Sequence, residues 1–156
     1  MEGKILDYAG VLNTKQKQNI FHLISSLERE SGSQIAIITI DSLMGESIHS
    51  FSLRKANELR SDKNNADDRI LITVVVQNKE INIHTGEGLN AIVKEEVARR
   101  IIREDMAPRF RKNRYGSGIF VAVSKMKKLI KDNKESTGQL IPVCDSSNNK
   151  EAIAIR

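Results

Sequence analysis

The chain reads as an α/β domain: a three-layer sandwich with a mixed β-sheet between helices and an added C-terminal β-hairpin. Two runs, 34–40 and 70–76, are β-branched and apolar on both faces, as strands covered by helices on both sides must be. Segments with apolar residues three and four apart alternate with them, which is the signature of amphipathic helices. The composition agrees: 156 residues with 39% apolar, 29% charged and no tryptophan make one domain with a core of Ile, Leu and Val.

In order, Ile20, Leu23, Ile24 and Leu27 follow a cap at Asn13 or Thr14 and stop at Ser31-Gly32, which predicts the first helix. The run 34–40 is then a central strand. Ile48, Phe51, Ser52, Ala56 and Leu59 give a second helix with Glu46 favouring its start, and the next strand completes a βαβ unit. The polar segment 60–69 has no apolar pattern and is an exposed connection. After 70–76 the alternating stretch 81–85 predicts a hairpin turning about Asn78-Lys79, its second strand half exposed. Beyond Gly86-Glu87-Gly88, a helix carrying Val93, Val97, Ile101 and Ile102 is expected to end near Pro108, which lacks the N–H that a helix needs. Residues 109–115 form a basic link, and Gly116-Ser117-Gly118 opens a last helix through Ile119, Val123, Met126 and Ile130. The division is 1–132 for the α/β domain and 133–156 for an extension, either a hairpin of 139–145 with 152–155 or a mobile tail.

Several chemistries are excluded at once. Cys144 is the only cysteine, so no intrachain disulfide or thiolate zinc site can form. No apolar run approaches the roughly 18 residues that span a bilayer, and Met1-Glu2-Gly3-Lys4 is followed by no signal core. The expected compartment is cytoplasmic by default, or extracytoplasmic if a signal or anchor preceded the chain. There is no Walker loop, His-Glu-x-x-His or Gly-x-Ser-x-Gly elbow, and Gly86-Glu87-Gly88 lacks the third glycine of a dinucleotide site. His22 and His49 fall on helices and His84 on the exposed face of an edge strand, spacings that fit surface roles better than ligation. Asp41 ends the central strand, where α/β sheets bind ligands, and a turn cap explains it equally.

Charge is uneven. Between 94 and 131 twelve Lys or Arg stand against four acids, a surplus of +8 against +5 for the whole chain, which makes the remainder slightly acidic. Arg99, Arg100 and Arg103 form the polar side of an amphipathic helix. Arg109, Arg111, Lys112 and Arg114 around Phe110 and Tyr115 make the one candidate polyanion or nucleic-acid patch. Nucleic acid is the least favoured partner, because aromatic interleaving is sparse.

The ordered set Asp7-Tyr8-Ala9-Gly10-Val11-Leu12, 32–43, Asp67-Asp68-Arg69-Ile70-Leu71-Ile72, 83–90 and Pro108-Arg109-Phe110 resembles the TPM domain over about residues 5–131. That domain occurs in photosystem-repair proteins of the thylakoid lumen and in many bacterial proteins. The resemblance implies a three-layer α/β fold, divalent-cation binding in some members and an acid phosphatase activity proposed for some. Where the family usually has Glu-x-Gly-Tyr-Gly-Leu-Glu, this chain has His84 first, Glu87 for the tyrosine and Asn90 for the last glutamate, while Lys94 falls near a position favouring aspartate.

A physical case for an ion site comes from the expected hairpin. If Gln77 pairs with Glu80, Asp68 faces Leu89 and Asp67 faces Asn90. One corner would then offer Asp67, Asp68, Glu87 and Asn90 to Ca2+ or Mg2+, hard ions that take oxygen ligands from flexible loops. A solvated polar loop accounts for the same residues equally well, and the nearby Lys94 ammonium opposes a cation.

Two function classes follow. The preferred one is an accessory or binding module that uses this corner for a divalent cation, a protein partner or a membrane-associated complex, as a monomer. The alternative is a metal-assisted phosphatase, which rests on the resemblance alone because no nucleophile or phosphoryl-stabilising set can be assembled.

Overall fold

The computed structural model describes residues 5–59, 69–89, 91–135 and 151–154. Strands β1 (Ile5–Asp7), β2 (Gln34–Ile40), β3 (Arg69–Val75), β4 (Glu80–Thr85) and β5 (Glu151–Ala154) form one sheet in that order. The first three are parallel, and β4 and β5 each run antiparallel to the strand before. β1 has only three residues, too few to show a periodicity, so the sequence carries no strand signal there.

Helices cover both faces. On one lies α2 (Ile48–Leu59), whose Ile48, Phe51 and Ala56 pack on Ala36, Ile38, Leu71 and Val75. Ser52, buried there, donates to Thr73 Oγ1 at 3.0 Å. On the other face α1 (Thr14–Ser31) and α5 (Tyr115–Glu135) join Ile35, Ile37, Ile70, Ile72, Ile81 and Ile83 in the larger core. The chain is thus a three-layer α/β sandwich with a mixed sheet. β1, β2 and β3 lie side by side in chain order while α1 and α2 occupy opposite faces. The two crossovers therefore have opposite hands, and one of them breaks the right-handed rule.

α1 begins at a reciprocal cap. Asn13 Oδ1 accepts from the Gln16 N–H at 2.8 Å and Gln16 Oε1 accepts from the Asn13 N–H at 3.0 Å, which satisfies two orphan donors. It ends at Gly32, whose φ of 80° suits glycine and whose N–H reaches the Glu28 carbonyl.

Three expectations need correction. The hairpin register is displaced: Val75 pairs with Glu80 and Ile70 with Thr85, so Gln77 does not face Glu80. The cause lies on the other side of β3, where the Val76 and Gln77 N–H groups donate to Ile40 at the end of β2 and to Asp41 just past it. This draws the chain away from β4 into a four-residue turn closed by Lys79 at φ 53°. β4 is not half exposed either. Ile81, Asn82 and Ile83 are buried, and because β5 pairs along it, His84 is half-buried on an inner strand rather than exposed on an edge.

Pro108 does not end its helix. α3 (Glu95–Ile101) runs into a π-helical turn (Ile102–Met106), where the Ala107 N–H reaches back five residues to Ile102, and continues as α4 (Ala107–Arg111) with Pro108 in its first turn. The wide turn comes just before a residue that cannot donate to the helix. The Asp105 carbonyl is taken by Arg109 Nη1 at 2.9 Å.

The basic link is therefore partly helical, and its two aromatics are core residues. Phe110 is 1% exposed and Tyr115 is buried, their rings 4.8 Å apart. Of the tail, β5 adds to the main sheet, whereas the expected partner 139–145 lies outside the described residues. No helix among the described residues is long and apolar enough to cross a membrane.

Candidate functional site

The corner expected to hold an ion lies where β3 starts and β4 ends. The Gly86 N–H donates to the Arg69 carbonyl at 2.8 Å, which extends the β3–β4 ladder by one step and holds the following turn against the start of β3. That turn is a 3-10 helix (Glu87–Leu89) pinned by buried Leu89 and Val93, with the Val93 N–H on the Leu89 carbonyl at 2.8 Å. The same anchoring leaves Glu87 and Gly88 in solvent.

Of the four expected ligands, Glu87 alone is among the described residues; Asp67, Asp68 and Asn90 lie outside them. The observed register differs from the one on which the expected facing of Asp68 with Leu89 and Asp67 with Asn90 rests. On the inner side of the corner Arg69 donates to Gln34 Oε1 from Nη2 at 2.7 Å and from Nε at 3.2 Å. Gln34 Nε2 in turn donates to Glu28 at 3.1 Å. A cation thus already sits at the base of the corner, half-buried and hydrogen-bonded. Lys94 is exposed at the start of α3, with no side-chain cap. Among the described residues no three His, Cys, Asp or Glu side chains converge as a metal set.

The other expected residues are scattered. His22 on α1 and His49 on α2 are exposed on opposite layers, and Asp41 is exposed. Arg99, Arg100 and Arg103 are exposed as expected, but Glu96 and Glu104 are exposed beside them and Arg99 pairs with Glu95 at 3.3 Å, so that helix face is close to neutral. Near the start of α2, Glu46 meets Arg54 at 2.7 Å, and this hydrogen bond holds its carboxyl below the usual range.

One carboxylate has a distinct environment that no local periodicity in the sequence marks. Asp7, at the end of β1, has a side chain only 2% exposed. It accepts from Val11 and Leu12 N–H at 3.0 Å each and from Thr39 Oγ1 at 2.6 Å, with Lys17 Nζ at 3.9 Å. These bonds shape the loop between β1 and α1. The available signal was the opening motif Asp7-Tyr8-Ala9-Gly10-Val11-Leu12.

The TPM domain model matches residues 5–129, which is most of the chain. The chain belongs to the TPM domain family. Asp7, the β3–β4 corner and α5 as far as residue 129 all fall within the matched part of this TPM domain. Its fold is similar to the N-terminal domain of a protein from P. gingivalis (TM-score 0.76, 21% identity, 82% of each chain). It is also similar to the BA42 protein of the psychrophilic bacterium Bizionia argentinensis (TM-score 0.67, 16% identity, 83% of this chain and 90% of that one). A third similarity is to the N-terminal domain of the cg2496 protein of Corynebacterium glutamicum (TM-score 0.63, 10% identity, 95% and 91%). No curated protein sequence matches this TPM domain.

Proposed function

We propose that this TPM domain is an accessory, binding-type module that takes a divalent cation, Ca2+ or Mg2+, at the corner carrying Asp67, Asp68, Glu87 and Asn90. The observation that supports it is the hydrogen bond from the Gly86 N–H to the Arg69 carbonyl. Asp68 is covalently joined to Arg69, and Glu87 to Gly86. Along the chain, the neighbours of this bonded pair are Asp68, preceded by Asp67, on one side and the exposed Glu87 on the other, which supports a shared set of oxygen donors. Oxygen ligands on short loops suit a hard cation, and waters complete the shell where protein ligands are few. The Arg69 and Lys94 charges weaken the site, which fits an exchangeable ion better than a permanent one.

The test is titration of metal-stripped protein with Ca2+ and with Mg2+, following backbone amide NMR shifts. Saturable shifts confined to 67–90, lost in Asp67→Ala and Asp68→Ala, are expected. No shift at millimolar ion would overturn the reading. Hydrolysis of p-nitrophenyl phosphate that requires the metal and disappears in both variants would instead make the site that of a phosphatase.

A further inference from the structure

We propose that the end of the molecule where α1 and α5 begin docks onto an anionic phospholipid surface. The two helices pack in parallel. The Gln16 side chain lies against the Gly116 backbone, Lys127 Nζ donates to Ser26 Oγ at 3.0 Å, and Lys131 lies 3.9 Å from Glu30. Their N-terminal ends therefore coincide, and neither has an acid in its first turn.

Side-chain charge, rather than the helix ends, carries the surface. Lys15 is exposed on α1, and Arg111, Lys112 and Arg114 are exposed where α4 passes into α5. No acidic residue occurs from 8 to 27 or from 106 to 131. The nearby carboxylate, Asp7, is buried and already accepts three hydrogen bonds. Asp41 and Glu46 flank Met44 on the β2–α2 connection, Asp41 exposed and Glu46 bound to Arg54.

The kind of partner follows from what accompanies the cations. Phe110 and Tyr115 are buried, so the segment that carries Arg111, Lys112 and Arg114 offers bases no stacking face of its own. The loops after β1 and β2, at the same end of the sheet, instead expose Tyr8 (65%) and Met44 (88%). The left-handed φ of Met44 (52°) and Gly45 (92°) shapes the second loop. Cations at the same end of the molecule as an exposed tyrosine and methionine match a bilayer interface: phosphate for the former, the headgroup zone for the latter. This end is opposite the β3–β4 corner, so the proposal stands or falls separately from cation binding.

The experiment is co-sedimentation of the protein with phosphatidylcholine vesicles with and without phosphatidylserine, at low and high salt, alongside retention on duplex DNA. Binding that needs phosphatidylserine and weakens with salt is expected. The pair Lys112→Gln and Arg114→Gln should weaken it about 30-fold, since each cation near such a surface contributes about fivefold. Met44→Ser should weaken it further, and the control pair Arg99→Gln and Arg100→Gln should leave it unchanged. Equal binding to pure phosphatidylcholine, an equal loss in the control pair, or stronger retention on DNA than on vesicles would each overturn the proposal.

Discussion

Asp7 brings a buried carboxylate, two backbone N–H groups, a hydroxyl and an ammonium together at the end of a three-residue strand. Asp7→Asn keeps its size but turns an acceptor into a donor facing the Val11 or Leu12 N–H. With a charge-assisted network broken in a buried place, stability should fall by about 3 kcal/mol. Urea unfolding would show this as an earlier midpoint at unchanged slope, and a midpoint equal to wild type would refute it. Asp67 and Asp68 stand out in the sequence through the expected hairpin register. Asp7 does not, because Thr39 lies 32 positions away and only the parallel pairing of β1 with β2 brings them together.

Among the elements, those whose period or cap is local were legible: α1 from Asn13 to Gly32, and β2 and β3 as two-sided strands. Features decided by a neighbouring strand or helix were not. The β3–β4 register depends on the bonds of Val76 and Gln77 to β2, so a turn rule applied to the hairpin alone gave the wrong pairing. Pro108 reads as a stop unless the π turn before it is known. In sequence the glycines of α5 mark a helix opening, yet in the fold their role is contact. A Cβ on Gly118 would stand 2.6 Å from Phe110 Cε1, and Phe110 is itself buried. Gly118→Ala gains about 1 kcal/mol of helix propensity and loses about 1–3 kcal/mol to overpacking. A lower thermal midpoint is expected, and a raised one would show that Phe110 moves aside freely.

At the scale of the molecule, the sandwich was legible because alternating strand and helix periods leave few ways to bury both sheet faces. The opposite hands of the two crossovers were not, since no local pattern encodes handedness. From Ile5 to Ile130 the described residues already pack both faces of the sheet. A chain ending at Asn133 should therefore still unfold in one cooperative transition by calorimetry, with the β4 edge newly available for pairing. Loss of that transition would show that β5 is integral to the core. The basic helix ends and the Glu87 corner lie beyond opposite ends of the sheet. A seven-residue strand such as β3 spans about 23 Å, close to three screening lengths in physiological salt. Charge bound at either end is then scarcely felt at the other, and a molecule resting by its basic end would sample the ion activity of the bulk solution rather than that of the layer it stands on.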